Sequence, residues 1–349
     1  MVDVSRLVNM KECVSVRVYR PGPAGSLVQQ EEPVPEPQRG EVLVRVRATS
    51  LNYRDLLILD GDHFTNGPGN LIPVSDAAGE VAEVGEGVTR FAAGDRVINT
   101  FHSNWIGGRL PAAETLRGYG NAQDGWLAEY RVVSEHALVA LPDSLTFEQG
   151  ATLPCAAVTA WTALNGGRPL GPEDVVLTLG TGGVSLFALQ LAKAHGARVV
   201  ATTSSAEKAA KLTDLGADVV VDYVATPEWG KAVLDATGGR GADRIVEVGG
   251  PGTFAQSLVA AGTHHAEIAL VGFVGGGGAP IDFMDLFRSG ATVRKTWVGS
   301  RDDTEDLLRR LTVRPIEPVI DSVHPFGEAD AAFRHFGGRG NFGKVVITA

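Results

Sequence analysis

Along residues 13–150 apolar side chains alternate with polar ones in short runs, Val14, Val16 and Val18 first, then Val42, Val44 and Val46. A period of two lines up such residues on one face of a half-buried strand. The stretch from Pro33 to Pro37 separates the two runs and cannot be helical. Further short strands are predicted at 79–84, 95–98 and 127–133, with Gly-Asp or Gly-Glu turns between them. Many short strands punctuated by turns point to a barrel-like or folded-sheet domain. Residues 100–124 are Gly-rich and aperiodic and read as loop.

The pattern changes near Ala151. Residues 151–165 read as helix, and from Val175 onward strands and helices alternate. Strands are predicted at 175–179, 198–203, 218–221, 245–248, 268–271 and 292–297. Helices are predicted at 184–195 and 206–215, closed by Gly196 and Gly216, the residue type that ends helices in the left-handed region. This alternation implies an α/β Rossmann domain, a doubly wound parallel sheet. After residue 297 the sequence is irregular again, and it finishes in a strand at 344–348.

Composition sharpens the picture. The chain has 349 residues, long enough for two domains. Its 44 glycines are nearly twice the usual ~7% and follow no period, so they mark turns and close backbone approaches. Against 31 basic side chains stand 41 acidic ones, a net charge of −10, which argues against a nucleic-acid or anionic-membrane surface. Two cysteines cannot build a disulfide framework or a four-cysteine zinc site. The first residues lack the ~7–15 apolar positions of a signal peptide, and no run approaches the ~18–20 of a membrane span. A cytoplasmic location is expected.

The most informative motif is Leu179-Gly180-Thr181-Gly182-Gly183-Val184-Ser185, which follows an apolar strand and opens an amphipathic helix. That is the context of a dinucleotide fingerprint. Gly180 permits the tight turn, Gly182 lets the backbone approach a pyrophosphate, and the helix start offers unpaired N–H groups to it. Ser185 stands where the third glycine of the pattern usually falls. About ~20 residues on, an NAD site carries an acid for the ribose 2′-OH. This chain has Thr203, Ser204, Ser205 and Lys208 there, a set suited to a 2′-phosphate, so NADP(H) is the expected cofactor. A purely structural reading stays open, in which Ser205 caps the helix and Lys208 is a solvated charge.

At this point the chain resembles the medium-chain dehydrogenase/reductase superfamily over nearly its whole length. The likeness rests on Leu51-Asn52-Tyr53-Arg54-Asp55, on residues 79–85 followed by Gly94-Asp95-Arg96-Val97, on residues 160–164, on the glycine loop, and on Gly343-Lys344-Val345-Val346-Ile347. It implies a GroES-like, mostly-β catalytic domain of residues 1–151 and 298–349, and a Rossmann nucleotide-binding domain of residues 152–297. It also implies cofactor contacts at Gly180, Thr181, Gly182, Gly183 and Val184, at Tyr223 near the adenosine, and at Gly272, Phe273 and Val274 near the nicotinamide. Asn341, Gly343 and Lys344 resemble further cofactor contacts, although Lys344 also fits a surface lysine beside an edge strand.

Zinc members of the superfamily carry a cysteine where this chain has Asn52, and a His-Glu pair where it has Ser75 and Asp76. No metal is therefore expected, and the chain looks like the zinc-free quinone oxidoreductase and enoyl reductase branch, the ζ-crystallin-like proteins. That branch implies transfer of hydride from NADPH to a small-molecule quinone or α,β-unsaturated carbonyl, and a homodimer formed through the edge strand at 292–297. The alternatives are a zinc-free alcohol dehydrogenase, a pathway-specific enoyl reductase, or a non-catalytic NADPH-binding protein of the crystallin kind. Candidate catalytic residues are Asn52, Tyr53 and His63. Tyr53 reads equally as a hydrogen-bond donor or a core residue, and His63 as a proton donor or a solvent-facing loop residue. Phe101, Trp105 and Trp126 read either as the lining of an apolar acceptor pocket or as anchors of their loop.

Overall fold

The structure is a computed structural model that describes residues 15–61, 69–262, 265–278 and 280–349. Its contacts divide the chain into two units. The first comprises Met1–Pro154, Ser322–Arg339 and Val345–Ala349, the second Cys155–Asp321 and Gly340–Lys344.

In the first unit β1 (Ser15–Pro21) and β2 (Leu27–Pro33) form an antiparallel hairpin. β3 (Glu41–Ser50) is the hub of the larger sheet, and its two bulges let it pair over its length with β4 (Asp76–Val84). The sheet continues through β5 (Arg96–Asn99) to β7 (Leu138–Ala140), while β6 (Tyr130–Ser134) lies on β3. Strand is expected from residue 127, but it starts at Tyr130. The backbone at Trp126 and Leu127 is already committed, donating to Val74 O and Pro73 O. Two helices follow β3 and β7 respectively, α1 (Tyr53–Leu59) and α2 (Phe147–Ala151).

The helix expected at 151–165 is interrupted. After α2 a π-helical turn spans Leu153–Ala157, where Pro154 has no N–H to donate, and α3 (Val158–Asn165) follows. The second unit then alternates through β8 (Val175–Leu179), α4 (Gly183–Ala194), β9 (Arg198–Thr203), α5 (Ala206–Asp214), β10 (Val219–Asp222) and α6 (Trp229–Ala236). It goes on through β11 (Arg244–Glu247), α7 (Phe254–Ala260), β12 (Glu267–Leu270), α8 (Phe283–Ser289) and β13 (Thr292–Lys295). The six strands are parallel in the order β10-β9-β8-β11-β12-β13, the doubly wound arrangement expected. Every side chain of β8 is buried, as a central strand covered on both faces requires.

Residues 298–321 differ from expectation, because they cluster with the second unit rather than the catalytic one. The reason is α9 (Arg301–Val313), whose Thr304, Leu307, Leu308 and Leu311 recur at helical spacing and are all buried. The chain re-enters the first unit within β14 (Ile320–Pro325), forms α10 (Ala329–Gly337), and closes in β15 (Lys344–Thr348), which pairs antiparallel with β3. Among the described residues no helix is long and apolar enough to cross a membrane.

Candidate functional site

The carboxyl end of β8 builds the first cradle. Gly180 adopts φ 71°, a conformation that side chains rarely take, and turns the chain into α4. A methyl group added at Gly182 would meet nothing within 4 Å, so the loop has room for a ligand against its backbone. The first N–H groups of α4 point out of the same turn, as an anion site at a helix start requires. Ser185, in the place of the third glycine, is buried and donates to Leu179 O at 2.6 Å, so its hydroxyl is satisfied by the strand just left. The residues present therefore suit a dinucleotide pyrophosphate.

Residues from the chain end complete this cradle. Gly343 N donates to Thr181 O (3.0 Å), and a methyl group at Gly183 would lie 2.6 Å from Lys344 Cδ. Lys344 is 3% exposed, so the surface-lysine reading is corrected: its stem packs on the glycine loop. At the end of β9, Ser205 does cap α5, its Oγ accepting from Lys208 N at 3.2 Å. Lys208 is not a freely solvated charge, for its Nζ donates to Asn341 O at 3.1 Å. Ser204 is exposed, whereas Thr203 is buried and contributes through its carbonyl, which accepts from Tyr223 N at 3.0 Å. Tyr223 itself is exposed beside them. The structure thus gathers Lys208 with Asn341, Thr181 and Gly183 with Gly343 and Lys344, and Thr203 with Tyr223. Gly272, Phe273 and Val274 follow β12, and Phe273 is exposed.

In the first unit Asn52 precedes α1, and its N–H donates to Asp55 Oδ2 at 2.8 Å, which fixes the helix start. The Asn52 amide donates to Ser75 Oγ (3.3 Å), and Ser75 donates to Asp76 Oδ1 (2.7 Å). Asn99 Nδ2 donates to Ser75 O (2.8 Å). Ser75 and Asp76 are fully buried, and Val74 before them holds φ 73°, a strained conformation for a β-branched residue. Strain of this kind collects where the surroundings over-determine a functional backbone. Tyr53 is not a core residue. Its hydroxyl accepts from Arg339 Nη2 at 2.7 Å, and that guanidinium lies over its ring. His63 lies outside the described residues. Among the described residues no group of three or more His, Cys, Asp or Glu side chains is gathered as a metal requires.

The Phe101–Trp126 region divides. Trp126 is buried against Tyr119 in the core of the sheet. Phe101 and Trp105 flank His102, which is 4% exposed and has no hydrogen-bond partner at either ring nitrogen. Burial, helped by the nearby Arg54 charge, pushes His102 down to about 3. Sequence reasoning passed over His102 because a lone histidine in a loop carries no periodic signal. A stability consequence follows. The unfolded chain protonates this histidine near pH 6.5, and the folded one does so only near pH 3, so between these values the unfolded state binds more protons. Stability should fall as pH drops through that window, by up to ~1.4 kcal/mol per pH unit from this group. Urea unfolding at several pH values, on wild type and His102→Phe, tests it; an unchanged slope in the variant would refute the assignment.

A family model described as "Alcohol dehydrogenase GroES-like domain" matches residues 38–143, and one described as "Zinc-binding dehydrogenase" matches residues 183–312. A zinc-type alcohol dehydrogenase-like protein of Schizosaccharomyces pombe is 39% identical over 314 residues, covering 88% of this chain and 90% of its own. An acryloyl-coenzyme A reductase of Metallosphaera sedula is 30% identical over 343 residues, covering 90% and 94%. The crystal structure of a putative alcohol dehydrogenase from Sinorhizobium meliloti superposes with a TM-score of 0.90 at 38% identity, covering 96% of this chain and 99% of that one. The dinucleotide cradle in a doubly wound sheet, the GroES-like unit and these relatives agree, and the chain belongs to the medium-chain dehydrogenase/reductase superfamily of nicotinamide-nucleotide-binding oxidoreductases.

Proposed function

We propose that the protein is an NADPH-dependent reductase that passes hydride to a quinone or an α,β-unsaturated carbonyl without zinc. The observation that carries the cofactor choice is the end of β9, where Ser204, Ser205 and Lys208 stand together. The acid nearest in sequence, Glu207, is paired with Lys211. When bound, the reduced nicotinamide supplies a hydride. The Thr181–Ser185 backbone would hold the pyrophosphate, and Ser204, Ser205 and Lys208 the 2′-phosphate. Tyr223 would lie along the adenosine, and the Gly272, Phe273 and Val274 backbone along the nicotinamide, with Asn341, Gly343 and Lys344 closing the cradle.

In the first unit the side chains supply what a conjugated acceptor needs. As charge moves onto the acceptor oxygen, donors must meet it. Tyr53 keeps its own O–H to give, because its oxygen accepts from Arg339. Asn52, Ser75 and Asp76 are linked by hydrogen bonds. They offer a zinc ion an amide, a hydroxyl and one carboxylate in place of the thiolate and imidazole that bind it well. Relatives named acryloyl-coenzyme A reductases support the conjugated-carbonyl class.

The expected result is NADPH oxidation with quinones, enals or enones, unaffected by chelator, in protein that holds no stoichiometric zinc. One tightly held zinc per chain by elemental analysis would overturn the metal-free reading. Relatives named alcohol dehydrogenases support a second reading, zinc-free alcohol oxidation with NADP+, which the same panel with alcohols distinguishes. NADPH binding without turnover of either kind would favour the crystallin-like alternative.

The homodimer proposal gains support from the second unit. β13 ends its sheet, one residue pair short of the predicted strand, and an open edge invites pairing. Near it in sequence, α8 presents Phe283 and Phe287, stacked on each other and 72% and 71% exposed, with Ile281 also exposed. Apolar exposure of this kind marks a protein contact. Light scattering should give about twice the 36.6 kDa of one chain, and Phe283→Asp with Phe287→Asp should shift it toward one. A wild-type mass of a single chain at micromolar concentration would refute the dimer.

A further inference from the structure

β11 is apolar through Ile245 and Val246, and then ends in Glu247, whose side chain is fully buried. Burying a carboxylate is costly unless donors surround it. Four do. Gly249 N and Gly250 N donate to Oε1 at 2.8 and 2.9 Å, Thr253 Oγ1 donates to the same oxygen at 2.5 Å, and Ser257 Oγ donates to Oε2. The carboxylate thus pins the turn after β11 to the first turn of α7.

That turn is in turn the support for the next loop. Gly272 N donates to Glu247 O, Val274 N to Val248 O and Gly275 N to Gly249 O, at 3.2, 3.1 and 2.9 Å. Gly250 holds φ 71°, and a methyl group there would lie 2.7 Å from Gly272 O and 2.8 Å from Phe273 Cα. The two loops are in direct backbone contact, so a shift of one displaces the other. They flank the carboxyl ends of β11 and β12, next to β8, where the doubly wound order reverses and ligands of such sheets bind.

We infer that Glu247 is a positioning residue: it holds residues 248–250 so that the Gly272, Phe273 and Val274 edge presents the nicotinamide correctly. The inference rests on the proposed placement of the nicotinamide on that edge. It assigns Glu247 no contact with the cofactor.

The test compares wild type, Glu247→Ala and Glu247→Gln. Glutamine retains an oxygen for the two glycine N–H groups, and Ser257 can accept from its amide, so it should restore most of the function. In the protein alone, hydrogen exchange at Gly249, Gly250, Val274 and Gly275 should speed up about tenfold or more in Glu247→Ala, with β8 and β9 unchanged. Affinity for 2′,5′-ADP, which lacks the nicotinamide, should stay within about twofold, while kcat falls about 10–100-fold. Glu247→Gln should remain within several-fold of wild type in both. Unchanged kcat in Glu247→Ala, or a loss of 2′,5′-ADP affinity in step with kcat, would overturn the inference. If Glu247→Ala does not fold, Thr253→Val removes one donor and keeps the branched shape; it should lower kcat several-fold, and an unchanged kcat would refute the role. A wild type that does not bind NADPH fails the proposed function instead, and the exchange measurement still reads the loop.

Discussion

Lys208→Ala is expected to weaken NADPH binding about 10–100-fold and to leave NADH binding nearly unchanged. A 2′-phosphate carries up to two negative charges, and a well-made charge-assisted hydrogen bond contributes about 1.5–3 kcal/mol. The ammonium has three N–H donors, and one goes to Asn341 O, so donors remain for a phosphate. The local geometry makes this a clean substitution. Ser205 Oγ caps α5 by accepting from the Lys208 backbone N–H, which alanine keeps, and alanine favours helix. Dissociation constants for both cofactors on both proteins decide it. Equal losses would mean that Lys208 merely ties α5 to Asn341. A wild-type preference for NADH would overturn the whole reading of this strand end.

The largest stability effect is expected at Glu267. Its Oε1 accepts from Arg244 Nη1 at 2.9 Å and from Arg294 Nε at 2.7 Å. Arg244 is wholly buried, and burial works against its charge while Glu267 supports it. The same guanidiniums serve the last turn of α3: both donate to Ala163 O, and Arg294 also to Thr162 O. They thus satisfy Ala163 O, a carbonyl of the last helical turn, and add to the Gly166 N–H already on Thr162 O. Glu267→Gln removes the only carboxylate in hydrogen-bond contact with Arg244 among the described residues. Breaking a buried pair in this way costs about 3–5 kcal/mol, because an uncompensated charge stays inside. The exposed pair Arg39–Glu86 is the control, with both side chains more than three-quarters exposed. Glu86→Gln should cost well under ~1 kcal/mol. Urea unfolding of the two variants measures the contrast, and a Glu267→Gln loss no larger than that of Glu86→Gln would show that water reaches the triad.

Local pattern carried much of the second unit and the closing strand of the first. The strands β8, β9 and β15 fall on the residues that apolar runs and flanking glycines marked out, because strand and turn formation depend on neighbours a few residues away. The glycine loop falls where expected for the same reason: it is one turn at Gly180 and one helix start at Gly183. Local reasoning failed where a segment's partners override its own pattern. Leu127 gives its N–H to Pro73 O instead of a strand partner and Ala128 turns back to Trp126 O, so the strand begins late. In the second case α9 joins the second unit through a buried leucine face that its charged sequence partly hides.

What the amino-acid order determined by itself was therefore the α/β class, the alternating sheet and the glycine turn at the end of β8. The comparison of positions 52, 75 and 76 with zinc ligands came from the resemblance to the superfamily. Only the tertiary structure decided which polar groups meet. Lys208 finds Asn341 across 133 residues, and Tyr53 finds Arg339 across 286. Glu247 gathers donors from a turn and a helix, and Glu267 collects two arginines from neighbouring strands. Such pairings depend on strand order and on which faces are buried, and a buried polar group must take whatever partner the assembled fold brings within about 3 Å. No period along the chain encodes that choice.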